Sequence, residues 1–195
     1  MTNFNSNNNN NNTRLSFRPL QWIFLLSLFL TMLPSGTHAL IELRTSAKTN
    51  QMTAAELQDY LSRPIHWPQI VGSSDSVKCL DGYNENDPLQ VGNRVKEFFG
   101  MNLLSVTWTC TKNEPGKLVV KAPEGLPGIA KECSMKFDIT NVLEKNGEAT
   151  AKVVLTMGYD PVSPIALAAT PVLVLDNWMA LKVLLPRAIN KQSNN

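Results

Sequence analysis

The 195-residue chain is poor in side chains that titrate near neutrality, with only two histidines and three cysteines. It lacks a His-Glu-x-x-His helix, a paired Cys-x-x-Cys and a Gly-rich phosphate loop, which excludes the usual sequence-readable zinc and nucleotide sites. It also has no Gly-x-Ser-x-Gly elbow, so the common serine-hydrolase arrangement is absent. Charge is scarce too: 18 basic residues stand against 16 acidic ones. Two of the basic residues, Arg14 and Arg18, fall in the first 39 positions, where there is no acid, so sixteen of each sign remain. A neutral domain has no long-range field with which to gather phosphates, which argues against nucleic acid and against general attraction to anionic lipid. Recognition has to proceed by shape and apolar contact.

The first 39 residues differ in kind from the rest. Asn7 to Asn12 is a purely polar tract with nothing to bury, which predicts disorder. Arg14 and Arg18 then precede the apolar run Leu20 to Leu33, followed by Pro34 and small residues at Thr37 and Ala39. A basic start, an apolar middle and small residues at positions three and one before a cut predict a secretory signal peptide cleaved after Ala39. The run is short for a membrane span, which needs about 20 apolar residues; an uncleaved anchor is the alternative. The expected destination is the secretory pathway, whether extracellular or endomembrane, and a plastid reached by that route stays open.

The remainder, roughly 155 residues, is one domain's worth of chain. Leu40 to Ser46 alternates apolar and polar, as a half-buried strand does. Thr53 with Glu56 three residues on reads as a capping box opening a short helix to about Ser62. Ile65 to Val71 follows as a second helical turn that tucks Trp67 and Ile70 inward. Strands are predicted near 73–79, 93–99, 103–111, 117–121, 129–142 and 149–159, separated by the turn formers Asp81-Gly82, Gly100, Pro115-Gly116, Pro123 to Gly128 and Asn146-Gly147. Three alternations share an apolar face: Leu104, Val106, Trp108, Cys110; Ile129, Cys133, Met135, Phe137, Ile139; and Ala151, Val153, Leu155, Met157, Tyr159. One curved antiparallel sheet with one apolar face accounts for all of them. The lid is a helix from Pro164 to about Ile189, expected to kink or restart at Pro171, with a disordered tail over 191–195. That helix is apolar on nearly every side, so part of its outer face should meet something else; Trp178, Leu181 and Leu185 beside Lys182 and Arg187 suit an interface with a protein or a membrane.

Strand, two short helices, six strands, long terminal helix: this order resembles the helix-grip superfamily of START-like, coenzyme Q-binding, birch-pollen-allergen-like and polyketide cyclase-like (SRPBCC) domains. The segments IHWPQIV at 65–71 and DGYNENDPLQVGNRVKEFF at 81–99 carry the local likeness, and the resemblance spans about Ile41 to Ile189. It implies an α+β fold with a curved antiparallel sheet of about seven strands wrapped around the C-terminal helix, over residues 40–190. It further implies a cavity between them for an apolar small molecule such as a lipid, quinone, sterol, polyketide or pigment. Carried over, the lining would be Val106, Trp108, Leu118, Val120, Met135, Phe137, Leu155, Met157 and Tyr159, with Leu175 or Met179 from the helix; the plainer reading is that these fill a core. In the family's strand order Cys79, Cys110 and Cys133 never fall on neighbouring strands. Strands two apart are about 9 to 10 Å apart, too far for a disulfide, which implies free thiols.

No cofactor or metal is implied. His66 is the one candidate general base, against the ordinary reading of a partly exposed helix residue, and a Cys-His pair would need Cys79 or Cys110 within its reach. Tyr159 and Trp108 each offer a donor, and Glu97 or Arg94 would face inward only if the third strand's register is shifted. The leading expectation is non-catalytic binding or transport of the apolar guest. A carboxylate with a tyrosine in the cavity would instead suit a polyketide cyclase or dehydratase, and a docking module built on the terminal helix is a third reading.

Overall fold

The structure is a computed structural model that describes residues 40–144, 147–162 and 164–193. The expectations for the Asn-rich tract and the signal peptide therefore lie outside the described residues. Where apolar and polar residues alternate, strands form: β1 (Ile41–Thr49), β2 (Ser74–Cys79), β3 (Arg94–Phe99), β4 (Leu104–Glu114), β5 (Lys117–Ala122), β6 (Ala130–Leu143) and β7 (Ala149–Pro161). They make one antiparallel seven-stranded sheet in the order β1-β7-β6-β5-β4-β3-β2. Between β1 and β2 the chain forms helix α1 (Ala54–Ser62), a 3-10 turn (Pro64–His66) and helix α2 (Trp67–Ile70). The capping box is present, with Thr53 Oγ1 accepting from the Glu56 backbone and Glu56 Oε2 accepting from the Thr53 backbone at 2.8 Å. Trp67 is buried and its indole donates to the Leu61 carbonyl at 3.0 Å, which seats the second helical turn on the first.

Register decides which residues meet. Leu118, Phe137 and Leu155 lie side by side in one row across β5, β6 and β7; Val120, Met135 and Met157 form the next, and Cys133 pairs with Tyr159 in a third. On β3 and β4, Val95 pairs with Trp108 and Glu97 with Val106. Two expectations for this face fail. Leu104 is 41% exposed, because it sits at the first position of β4 beside the β3–β4 turn. Ile129 lies outside β6 and Ala130 takes the buried place, because the register shifts between Ala130 and Cys133; such a bulge reverses the in-out phase of the residues before it.

The same bend rests on Gly125. Its φ is +63°, and a Cβ there would fall 2.0 Å from the Ala130 carbonyl oxygen, which accepts from the Leu126 amide at 2.9 Å. Gly125→Ala is expected to cost at least about 2 kcal/mol in urea unfolding, from left-handed strain plus a backbone clash. An unchanged midpoint would mean that this turn is not formed.

The lid is helix α3 (Pro164–Met179), one π turn (Ala180–Leu184) and helix α4 (Leu185–Ser193). Helical structure runs through Pro171, so the expected restart there does not occur. The irregularity comes later and has a local cause. Pro186 has no N–H to give the Lys182 carbonyl, and the Leu185 amide bonds back five residues to Ala180 instead. The helix also continues past Ile189, taking Lys191 to Ser193 out of the expected tail; a lysine in the last turn complements the helix dipole. α3 touches β1 and β7. Through Asp176, which accepts from the Ser73 hydroxyl at 2.7 Å and the Ser73 amide at 3.2 Å, it also holds the approach to β2 at the opposite edge of the sheet. Leu181, Leu185 and Ile189 complete the core laid down by the sheet face and Leu57 and Leu61 of α1.

Candidate functional site

Val106, Trp108, Leu118, Val120, Met135, Phe137, Leu155 and Tyr159 are all buried on the helix-facing side of the sheet, and Met157 is partly buried against them. Of the two helix candidates, Met179 is half-buried and Leu175 is 41% exposed on the outer side. The fold thus gathers nine sheet residues on one surface and leaves Leu175 off it. Tyr159 is not a free donor, since its hydroxyl shares a 2.6 Å hydrogen bond with Thr170 Oγ1 of α3 and ties sheet to helix.

The chemically distinctive group among them is Glu97. It is 1% exposed, on the same face as Val95, Val106 and Trp108, whereas Arg94 points outward into an ion pair with Asp81. Trp108 Nε1 donates to Glu97 Oε2 at 2.7 Å. Ser74 lies close enough to favour the charged carboxylate, but neither its Oγ nor Glu97 Oε1 completes a hydrogen bond. Burial pushes the Glu97 carboxyl up to about 7, against the pull of Ser74 and Trp108 and with added repulsion from Asp176. On the helix side Asn177 is 3% exposed with neither amide atom partnered. Beside it in sequence, burial raises the pKa of Asp176 against its bonds to Ser73 and Gly72. Buried polar atoms left unmatched cost about 1 to 3 kcal/mol each, and here they occur in both layers, at Glu97 and Ser74 on the sheet and at Asn177 on the helix.

The other candidates separate from this site. His66 stacks on Tyr60 with centroids 4.0 Å apart, and neither His66 Nδ1 nor Tyr60 Oη has a partner. Burial lowers the His66 pKa, with Arg63 adding to the effect. That pair borders an open groove of about 760 Å³ between α1 and the end of α4, away from the sheet rows. Another hollow, of about 530 Å³, lies between α1 and the β4–β5 turn. None of the eleven expected lining residues borders these two hollows or the smaller ones beside Leu185 and Val91. The three cysteines are free. Burial raises all three thiols, which is opposite to what an activated nucleophile needs, and Cys110 is directed at the Lys112 carbonyl. Among the described residues no cluster of His, Cys, Asp or Glu could hold a metal ion.

In the sequence Glu97 faces inward only conditionally, Asp176 and Asn177 stand out only as polar interruptions of the apolar terminal helix, and Ser74 carries no signal. The alternation Val95, Glu97, Phe99 puts the carboxylate in phase with two apolar residues, but the hexapeptide alone does not say which phase faces inward.

No family model and no curated protein matches the chain. Solved structures do. The aromatase/cyclase Zhui from Streptomyces sp. R1128 superposes with a TM-score of 0.59 at 14% identity, covering 77% of this chain and 94% of that one. Truncated norcoclaurine synthase from Thalictrum flavum gives 0.58 at 11% identity, with 83% and 98% covered, and that enzyme has also been solved with dopamine and hydroxybenzaldehyde. A START superfamily protein from Mycobacterium smegmatis gives 0.54 at 10% identity, with 78% and 98% covered. An open seven-stranded antiparallel sheet, closed by its own C-terminal helix and matched over nearly the full length of each of these structures, is the helix-grip fold.

Proposed function

We propose that this protein binds and carries a small molecule with an apolar body and one polar group, held between the sheet and the C-terminal helix. The observation that carries the reading is Glu97, a buried carboxyl with one oxygen satisfied by Trp108 and the other unpartnered. Val106 lies opposite it on β4, and farther across the same face Leu118, Val120, Met135 and Phe137 offer apolar and polarisable contact of the kind that suits an irregular guest. A hydroxyl or amine on the ligand would complete Glu97, and a carbonyl would accept from its protonated form. Similar folds hold small molecules, dopamine and hydroxybenzaldehyde in the synthase among them. We further propose that residues 1–39 direct the chain into the secretory pathway and are removed after Ala39, which N-terminal sequencing of the exported protein would test.

Glu97 also favours a second reading. A carboxyl titrating near 7 could move a proton in an enolisation, as a cyclase-like enzyme requires. Against it, the Tyr159 hydroxyl is already engaged by Thr170. Native mass spectrometry of the protein purified from its source tests the binding reading. A copurified small molecule is expected on wild type and depleted on Glu97→Gln by roughly tenfold or more, the worth of a charge-assisted hydrogen bond. Only bare protein mass, with no thermal shift from lipids, quinones, sterols or phenols, would refute it.

A further inference from the structure

The outer face of α3 is apolar where a soluble domain should be polar. Val174, Leu175 and Trp178 are 47%, 41% and 49% exposed, and Lys182, also exposed, follows one turn later. A second apolar projection stands at the same end of the molecule. In the β3–β4 turn, Met101 and Leu103 are 73% and 80% exposed. Contacts on both sides place them there: the Asn102 amide donates to Asp75 at 3.0 Å, Ser74 pairs with Phe99, and Ser73 is bonded to Asp176 of α3.

Charge selects the occupant. The described lid, residues 164–193, has one acid, Asp176, turned toward Ser73, while Lys182, Arg187 and Lys191 are all exposed. The domain is neutral as a whole, yet the fully exposed charges on this helix are all positive, and its one acid is half-buried against Ser73. A second copy of the same helix would be repelled by those charges, whereas an anionic bilayer would attract them. The stretch Ala166–Gln192 is apolar and long enough to cross a membrane, but Leu181, Leu185 and Ile189 on it are core residues. Spanning would tear the core open, so the helix can only lie on the surface.

We infer that the α3 face and the β3–β4 turn together dock on an anionic lipid bilayer, with Trp178, Leu175 and Leu103 entering the headgroup boundary and Lys182 meeting lipid phosphates. This docking does not depend on the ligand reading, although it would set the sheet-helix interior beside a reservoir of apolar molecules.

Flotation of the protein purified from its source tests it. Binding is expected to phosphatidylcholine vesicles containing phosphatidylserine and to be at least roughly tenfold weaker on phosphatidylcholine alone. The double variant Leu175→Glu, Trp178→Glu should lose at least roughly tenfold on the anionic vesicles, with an unchanged thermal midpoint since both side chains are exposed. Lys182→Glu should chiefly erase the preference for phosphatidylserine. No flotation, or flotation that the double variant leaves intact, would overturn the inference. So would a dimer in sedimentation velocity that the double variant dissociates, because the face would then be a protein interface.

Discussion

Glu97→Gln is expected to change the pH dependence of stability more than any other single substitution in this protein. The native carboxyl titrates near 7 and its ordinary value is 4.5. Between those values the folded state keeps a proton that the unfolded state has released, so unfolding becomes easier as pH rises. Below pH 4.5 both states are protonated and the group is neutral in its effect; above 7 both are ionised and the penalty stays constant. The shift corresponds to about 3 kcal/mol lost between pH 4.5 and 7. The glutamine keeps an acceptor for the Trp108 indole and carries no charge, so it should not show this loss. Urea unfolding of both proteins at pH 5 and pH 8 reads the difference. Parallel pH profiles would mean that Glu97 is solvated in the native state. Greater stability at pH 8 with weaker ligand retention is the exchange expected of a residue kept for function.

Leu181→Ala should cost about 2 to 5 kcal/mol, because Leu181 is 1% exposed within the main core. Leu175→Ala, one helical segment earlier, should fall within about 0.5 kcal/mol of wild type. Chemical denaturation of the two variants side by side checks this, and equal losses would contradict the described packing. Six residues apart, Leu175 and Leu181 lie on different faces of any α-helix; what the π turn changes is the place of Leu185. In an uninterrupted α-helix Trp178 and Leu185 are seven residues apart and share a face, which is how the sequence suggested an outer stripe of Trp178, Leu181 and Leu185. The π turn over Ala180–Leu184 takes in an extra residue and rotates the helix beyond it, so Leu185 turns inward while Trp178 stays out.

That example marks how far the sequence could be read. The strands of the sheet were legible because period-two alternation is a direct projection of the pleat, and the turns between them were marked by Asp81-Gly82 and Pro115-Gly116. The rows Leu118-Phe137-Leu155 and Val120-Met135-Met157 followed once hairpin order was fixed. Departures from regular period escaped: the bulge that moved Ile129 off the apolar face, and the π turn enforced by Pro186. Glu97 escaped for another reason. In Arg94-Val-Lys-Glu-Phe-Phe99 either phase places a charged residue beside an apolar one, so alternation alone does not orient the strand. Its pairing with Val106 on β4 orients it, and that long-range information is not in the hexapeptide.

The claim beneath the functional reading is that Glu97 sits in an apolar interior with one oxygen free for a guest. Carboxyl carbon NMR of the folded protein, titrated from pH 4 to pH 9, tests it directly. A Glu97 midpoint close to 7 is expected in the free protein, and a displaced midpoint once a copurified or added ligand occupies the site. A midpoint at the ordinary value of 4.5, indifferent to any ligand, would contradict it.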